Sequence, residues 1–280
     1  MEQPVWIESN ERLPGIANLP DARAAETGVV FVHGWAGYRT APHRMFVTTA
    51  AALAERGIAS VRFDLRGRGA SLSDGSQADL DGMTDDTLCA AKWLRDRHGV
   101  GRVYVLGICS GGNVALGAAS LDKTLAGLIL WSTPLFAPFK TKRQAAGRRK
   151  LLLLEYLRKL LRRETYLKLI KGRLNLGLIG RILFGRAQQP SVAGRNPKDS
   201  LRDIILELDG FHNPALFIYG SNDDEAVGAP QFYDRYCREH GIPAAFHVVQ
   251  GANHSYYSVA WEREVIGHTL AWLESVDGRG

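Results

Sequence analysis

The feature that most restricts how this chain folds is an alternation. Short β-branched or apolar runs recur, and a helical pattern follows most of them. Gly28–Val32 reads GVVFV and precedes a helical stretch, His43–Arg56, stopped by Gly57. Ala59–Phe63 (ASVRF) is followed by an amphipathic pattern over Thr84–His98, where Leu88, Ala91 and Leu94 share one face. Val103–Leu106 precedes a helix over Gly112–Ser120, and Leu125–Trp131 is a further strand. Leu216–Tyr219, a helix at Gln231–His240, the strand Ala245–Val249 and a helix at Trp261–Glu274 complete the series. Continuous apolar strands alternating with helices predict an α/β protein: a mostly parallel central sheet with helices on both faces. Val5–Ser9 and Leu13–Leu19, joined by a polar turn, predict an opening hairpin.

The alternation breaks once. Between Trp131 and Leu216 the chain holds helical patterns and no convincing strand. The expected organisation is a core of residues 1–133 and 210–280, with 134–209 inserted as a helical, basic cap or lid. Charge supports the division. From Lys140 to Arg181 there are 14 Lys and Arg against Glu155 and Glu164, a balance of +12. The rest keeps 21 basic and 27 acidic residues of the chain's 35 and 29. Within the insertion, Leu153, Leu154, Leu157, Leu160 and Leu161 share one helical face, opposite Arg158, Lys159, Arg162 and Arg163. That pattern suits a cap over an active site, and it makes an anionic membrane surface a candidate contact. No basic patch is interleaved with aromatics, so no nucleic-acid partner is expected. No run is long enough to span a bilayer, and the N-terminus lacks a basic leader and an apolar stretch. Cys89, Cys109 and Cys237 are too few and too scattered for a disulfide framework. A cytoplasmic protein, peripheral to a membrane at most, is the expectation.

The chemistry is signalled at "VYVLGICSGG", Val103–Gly112. A nucleophile on a sharp strand-to-helix turn needs glycine two positions away on either side. Around Cys109 those positions are Gly107 and Gly111; around Ser110 they are Ile108 and Gly112. Cys109 is therefore the expected nucleophile. A thiol there sits at a helix N-terminus, where backbone dipoles favour thiolate. The other parts follow other strands. His254, in "GANH", is the one of eight histidines placed in a loop after the last strand as a base would be. Asp223, in "YGSNDDEAV", is the expected acid, with Asp224 as the alternative. "FVHGWAG" supplies a turn whose Trp35 amide, with that of Ser110, is expected to bind an oxyanion.

With HGWAG, "RFDLRGRGAS", "GICSGG", "YGSNDD" and "GANH", the chain resembles the α/β-hydrolase superfamily along nearly all its length. Within it, the cysteine corner, "ERLPGIANLP" and "YLRKLLRRETYLKLIKGRLNL" are similar to bacterial exosortase-associated hydrolases of the serine-aminopeptidase (S33) and lipase-like group. Dienelactone hydrolases also place cysteine at this corner, on chains expected to be shorter and without such a cap. The resemblance implies the α/β-hydrolase fold. It also implies cleavage of an ester or thioester of a small-molecule acyl substrate through Cys109, His254 and Asp223, without metal or cofactor. Acyl transfer uses the same acyl-enzyme, and a non-catalytic protein binding a membrane or partner through its basic cap is the rival expectation.

Overall fold

The computed structural model describes residues 1–20, 25–71, 78–136 and 200–278. The expected cap falls mainly on 137–199, outside the described residues. Eight strands form one sheet: β1 (Glu2–Glu8), β2 (Arg12–Asn18), β3 (Thr27–Val32), β4 (Ala59–Phe63), β5 (Arg102–Ile108), β6 (Gly127–Trp131), β7 (Ala215–Gly220) and β8 (Ala244–Val249). Their order is β1-β2-β4-β3-β5-β6-β7-β8. The β1–β2 hairpin and the β2–β4 pair are antiparallel; every pair from β4 to β8 is parallel. The helices are α1 (Met45–Glu55), α2 (Leu80–His98), α3 (Ser110–Leu121), the single turn α4 (Ile204–Glu207), α5 (Ala229–Glu239) and α6 (Val259–Val276).

The central strands are apolar throughout because both their faces are covered. Residues of β3 through β7 are buried almost without exception. One face packs Val30, Val105, Leu130 and Phe217 with α2, α3 and α5; the other packs Phe31, Leu106, Trp131 and Ile218 with α1 and α6. Strand alternation assigns odd and even positions to the two layers. The edge strand β8 is only partly buried.

Local chemistry sets the boundaries. α2 begins four residues before the expected Thr84, because Asp79 caps it by accepting from the Gly82 amide (2.8 Å). The stretch expected to be one helix from His43 is a tight turn, Pro42–Arg44, with His43 and Arg44 at positive φ, followed by α1. β5 runs two residues beyond the expected Leu106, since Gly107 and Ile108 still pair with Leu130 and Trp131. Residues 200–209, assigned from the sequence to the insertion, pack on α3 and α5. Ile204 is buried there, and the Ile205 carbonyl accepts from Tyr236 Oη (2.7 Å).

Candidate active site

In an open parallel sheet, a crevice forms at the C-terminal strand ends where the strand order reverses. Here β3 leads out to β4 on one side and pairs β5 on the other, so the reversal lies between β3 and β5. Val32 pairs Gly107, and the turns leaving the two strands are therefore neighbours. They hold His33-Gly34-Trp35 and Cys109-Ser110.

Cys109 is the turn residue, at φ 55° and ψ −131°. A side chain at positive φ is strained, and the neighbours leave no alternative path. A Cβ on Gly107 would lie 2.4 Å from the Gly111 carbonyl oxygen, and one on Gly111 2.2 Å from that of Val32. A Cβ on Gly112 would meet Thr133 Oγ1 at 1.8 Å. Gly107 and Gly111 are dictated by close backbone approach, and Gly112 by the Thr133 side chain. The result is a half-exposed Cys109 at the head of α3.

Ser110 has a different task. Its Oγ accepts a hydrogen bond from the Trp35 amide at 2.7 Å. The Trp35 amide, expected to face an oxyanion, is thus engaged by a hydroxyl; the Ser110 N–H, as the first amide of α3, has no intrahelical acceptor. The Gly34–Trp35 peptide is fixed from its other end by His33, whose Nδ1 bonds the Gly34 carbonyl (2.8 Å). His33 Nε2 accepts from the Leu65 amide (3.1 Å), which assigns the ring proton to Nδ1. Burial holds His33 below its ordinary pKa, and the neutral ring serves as a bracket. Arg68 completes the mount. Its guanidinium lies 3.5 Å over the Trp35 ring, and its Nε donates to the Trp35 carbonyl (2.7 Å).

The acid and base come from the turns after β7 and β8. His254 Nδ1 donates to Asp223 Oδ1 at 2.8 Å. The same oxygen accepts from the amides of Glu225 (3.0 Å) and Ala226 (3.1 Å), which fixes the carboxylate from three directions. Asp224 is exposed; it is Asp223 that meets His254. The two turns are laced together. Ser221 N–H bonds the Val249 carbonyl, Asn222 N–H the Ala252 carbonyl, and Gly251 N–H Ser221 Oγ. They lie so close that a Cβ on Gly220 would be 2.3 Å from the Ala252 oxygen. Tyr256, at φ 50°, passes its hydroxyl proton to the Ile218 carbonyl (2.8 Å) and accepts from Ser132 Oγ (2.9 Å). The sequence reading missed both; unlike Cys109, neither has glycines two positions away on both sides to mark the turn.

Cys109 Sγ, a ring nitrogen of His254 and a carboxylate oxygen of Glu225 all lie within 4.8 Å of one another. The Nε2 edge of His254 is buried and makes no conventional hydrogen bond among the described residues. Burial disfavours the imidazolium, but the Asp223 hydrogen bond and the adjacent Cys109 outweigh it and raise the His254 pKa to about 10. Asp223 is held below its ordinary pKa: burial acts upward, and the bonds from His254 and the Glu225 amide act more strongly downward. Glu225, which the sequence reading passed over, places Oε2 at 3.6 Å from Nε2 from an exposed position. A zinc-type cation held by Cys109, His254 and Glu225 would occupy the lone pairs that attack and proton transfer require.

A family model described as the alpha/beta hydrolase family matches residues 29–266. The chain belongs to the alpha/beta hydrolase family. A search of curated protein sequences found no significant match. Among solved structures, this hydrolase is similar to a thermophilic esterase from Thermogutta terrifontis (22% identity, 98% and 99% of the two chains, TM-score 0.63). It is also similar to Est1E from Butyrivibrio proteoclasticus with ferulic acid bound (16%, 95% and 98%, TM-score 0.64). A third is the dienelactone hydrolase from Anabaena variabilis (16%, 98% and 97%, TM-score 0.63). At these identities the likeness is one of fold. No helix among the described residues of this hydrolase is long and apolar enough to cross a membrane.

Proposed function

We propose that the protein is an esterase-type hydrolase that cleaves a carboxylic ester or thioester through an acyl-enzyme on Cys109. The observation that carries this reading is the meeting of Cys109 Sγ, on a strained strand-to-helix turn, with an imidazole already bonded to a buried carboxylate. The sulfur attacks the acyl carbonyl while His254, whose pKa is raised to about 10, already holds the proton of the pair at Nε2. The oxyanion takes the Ser110 amide and, once the Ser110 hydroxyl rotates aside, the Trp35 amide. His254 returns its proton to the leaving alcohol or thiol as the tetrahedral intermediate collapses to a thioester. Water, deprotonated by His254, then releases the acid and restores Cys109. An acceptor alcohol in place of water would make the same machinery an acyltransferase. The ester-cleaving activity named for the Thermogutta neighbour supports the reaction class.

Iodoacetamide labelling with mass mapping tests the nucleophile. Cys109 is expected to label ahead of Cys237, which is buried. Cys109→Ala is expected to lose at least ~10^4-fold in turnover of short p-nitrophenyl esters and acyl thioesters. An unlabelled Cys109, with wild-type turnover in Cys109→Ala, would refute the reading. The rival reading, binding of anionic membranes through the +12 segment 140–181, rests on charge alone. Liposome sedimentation at physiological salt tests it.

A further inference from the structure

The loop that carries His254 joins the edge strand β8 to α6, and those two elements meet at a second cluster. His247 lies on β8; Glu264 and His268 lie on α6, four residues apart and so on one face of the helix. His247 Nε2 is 2.7 Å from Glu264 Oε1. The His247 and His268 rings stack with centroids 3.5 Å apart at 26°. One donor atom from each of the three side chains lies within 4.8 Å of the other two.

We propose that His247, Glu264 and His268 form a binding site for a zinc-type divalent cation. Two imidazoles and one carboxylate are the donor set of zinc sites that keep a fourth position open. Calcium and magnesium demand oxygen donors, and two nitrogens argue against them. Bonds of about 2.1 Å at tetrahedral angles set donors about 3.4 Å apart. The separations here, from 2.7 Å to at most 4.8 Å, bracket that value. Closing onto an ion requires the stacked His247 and His268 rings to turn so that their in-plane lone pairs converge, and the His247 and Glu264 side chains are partly exposed, at 26% and 40%. Binding exchanges the proton shared by His247 and Glu264 for the cation and leaves the outer face open to water. The consequence is mechanical. The sheet's edge strand is fastened to the last helix, so both ends of the loop bearing His254 are tied together. The site stands independently of the esterase reading.

Because Cys109, His254 and Glu225 could also take zinc, the test uses the full chain carrying Cys109→Ala. Calorimetric titration with zinc chloride is expected to show one equivalent bound at micromolar affinity, with a rise in Tm. Magnesium and calcium chloride are expected to produce neither. Cobalt chloride is expected to give the visible absorption of a four-coordinate nitrogen–oxygen site. Adding His268→Gln, a surface change whose folding circular dichroism verifies, is expected to weaken zinc binding at least tenfold and abolish that absorption. His247→Gln is expected to do the same. No saturable zinc binding in Cys109→Ala, or unchanged affinity and cobalt spectrum in His268→Gln, would overturn the proposal. Loss of esterase turnover in the Cys109→Ala parent bears only on the catalytic reading.

Discussion

The two halves of the candidate site are built by different means. The nucleophile half, after β3 and β5, is held by the absence of side chains. Gly107 and Gly111 let backbone segments approach, and Gly112 lets the Thr133 side chain approach, within distances no Cβ tolerates, and Cys109 is left at positive φ as the remaining solution. The acid–base half, after β7 and β8, is held by hydrogen bonds. Three donors converge on one oxygen of Asp223, and four further bonds lace its turn to that of His254. Steric construction fixes position to the width of an atom and tolerates no substitution. Hydrogen-bonded construction fixes orientation and depends on protonation. The attacking atom requires the first, and the proton carrier the second.

The largest separation between the halves is expected from Asp223→Asn. It leaves the turns in place but removes the charge that orients and stabilises the His254 imidazolium. Turnover should fall roughly 10^3-fold, about 4 kcal/mol in activation free energy, and stability near neutral pH should fall by about 2 kcal/mol as the paired charge is lost. Steady-state kinetics beside thermal unfolding would show it; loss of stability without loss of rate would mean the bond is structural only. The next effect belongs to the other half. Gly→Ala inside a helix ordinarily stabilises by about 1 kcal/mol. At Gly111 the new Cβ meets the Val32 carbonyl at 2.2 Å, so β3 must shift, and the substitution should destabilise by about 3 kcal/mol or more. Gly267, within α6, has nothing within 4 Å of an added Cβ, and Gly267→Ala should show the ordinary stabilisation. Denaturant titrations of the pair should give opposite signs.

This contrast also explains what the sequence displayed. Steric constraints write glycines, and glycines can be read: Gly107 and Gly111 mark the nucleophile turn in the sequence. Apolar runs buried on both faces located β3 to β7. Hydrogen bonds write little. Glu225 looked like one more acid in a polar turn, and its approach to Nε2 follows from a turn geometry that Asp223 organises. Ser132 and Tyr256 sit at positive φ where residue preference argues against it, so tertiary packing alone reveals them. The engagement of the Trp35 amide by Ser110 depends on one side-chain rotamer, on which sequence is silent. The helical, basic pattern of segment 140–181 lies outside the described residues.

Protonation should separate the halves further. His254 has its pKa raised to about 10 in the folded protein, against an ordinary value near 6.5. Its partnership therefore contributes fully below about pH 6.5 and is lost as pH rises through about 10. Asp223 is depressed, so its contribution holds above its unfolded value and disappears as pH falls through the folded one. Between the two the pair is intact. Relative to His254→Gln, the wild-type protein should lose stability from pH 6.5 to 10, by about 2 kcal/mol because Asp223 and Cys109 share in the shift. Urea unfolding at pH 6.5, 8 and 10 measures it. Gly111→Ala, a steric lesion, should carry the same deficit at all three; a parallel pH response in His254→Gln would break the distinction.

The smallest expected effect lies where the halves meet. Ser110→Ala removes the hydroxyl that accepts the Trp35 amide but leaves the Ser110 N–H, His33 and Arg68 in place. The amide then faces solvent, so stability should fall by about 1 kcal/mol. For catalysis the sign reverses. In the wild-type protein the hydroxyl must leave before an oxyanion can take the Trp35 amide; in Ser110→Ala the amide is free from the start. Turnover should stay within about threefold of wild type or rise, with the change in kcat and not in KM, since the oxyanion exists only in the transition state. A fall of 10^2-fold or more would instead make the hydroxyl itself a donor to the oxyanion. The Trp35 amide would then be the group that orients Ser110, with the serine beside the cysteine taking part in the chemistry through its side chain.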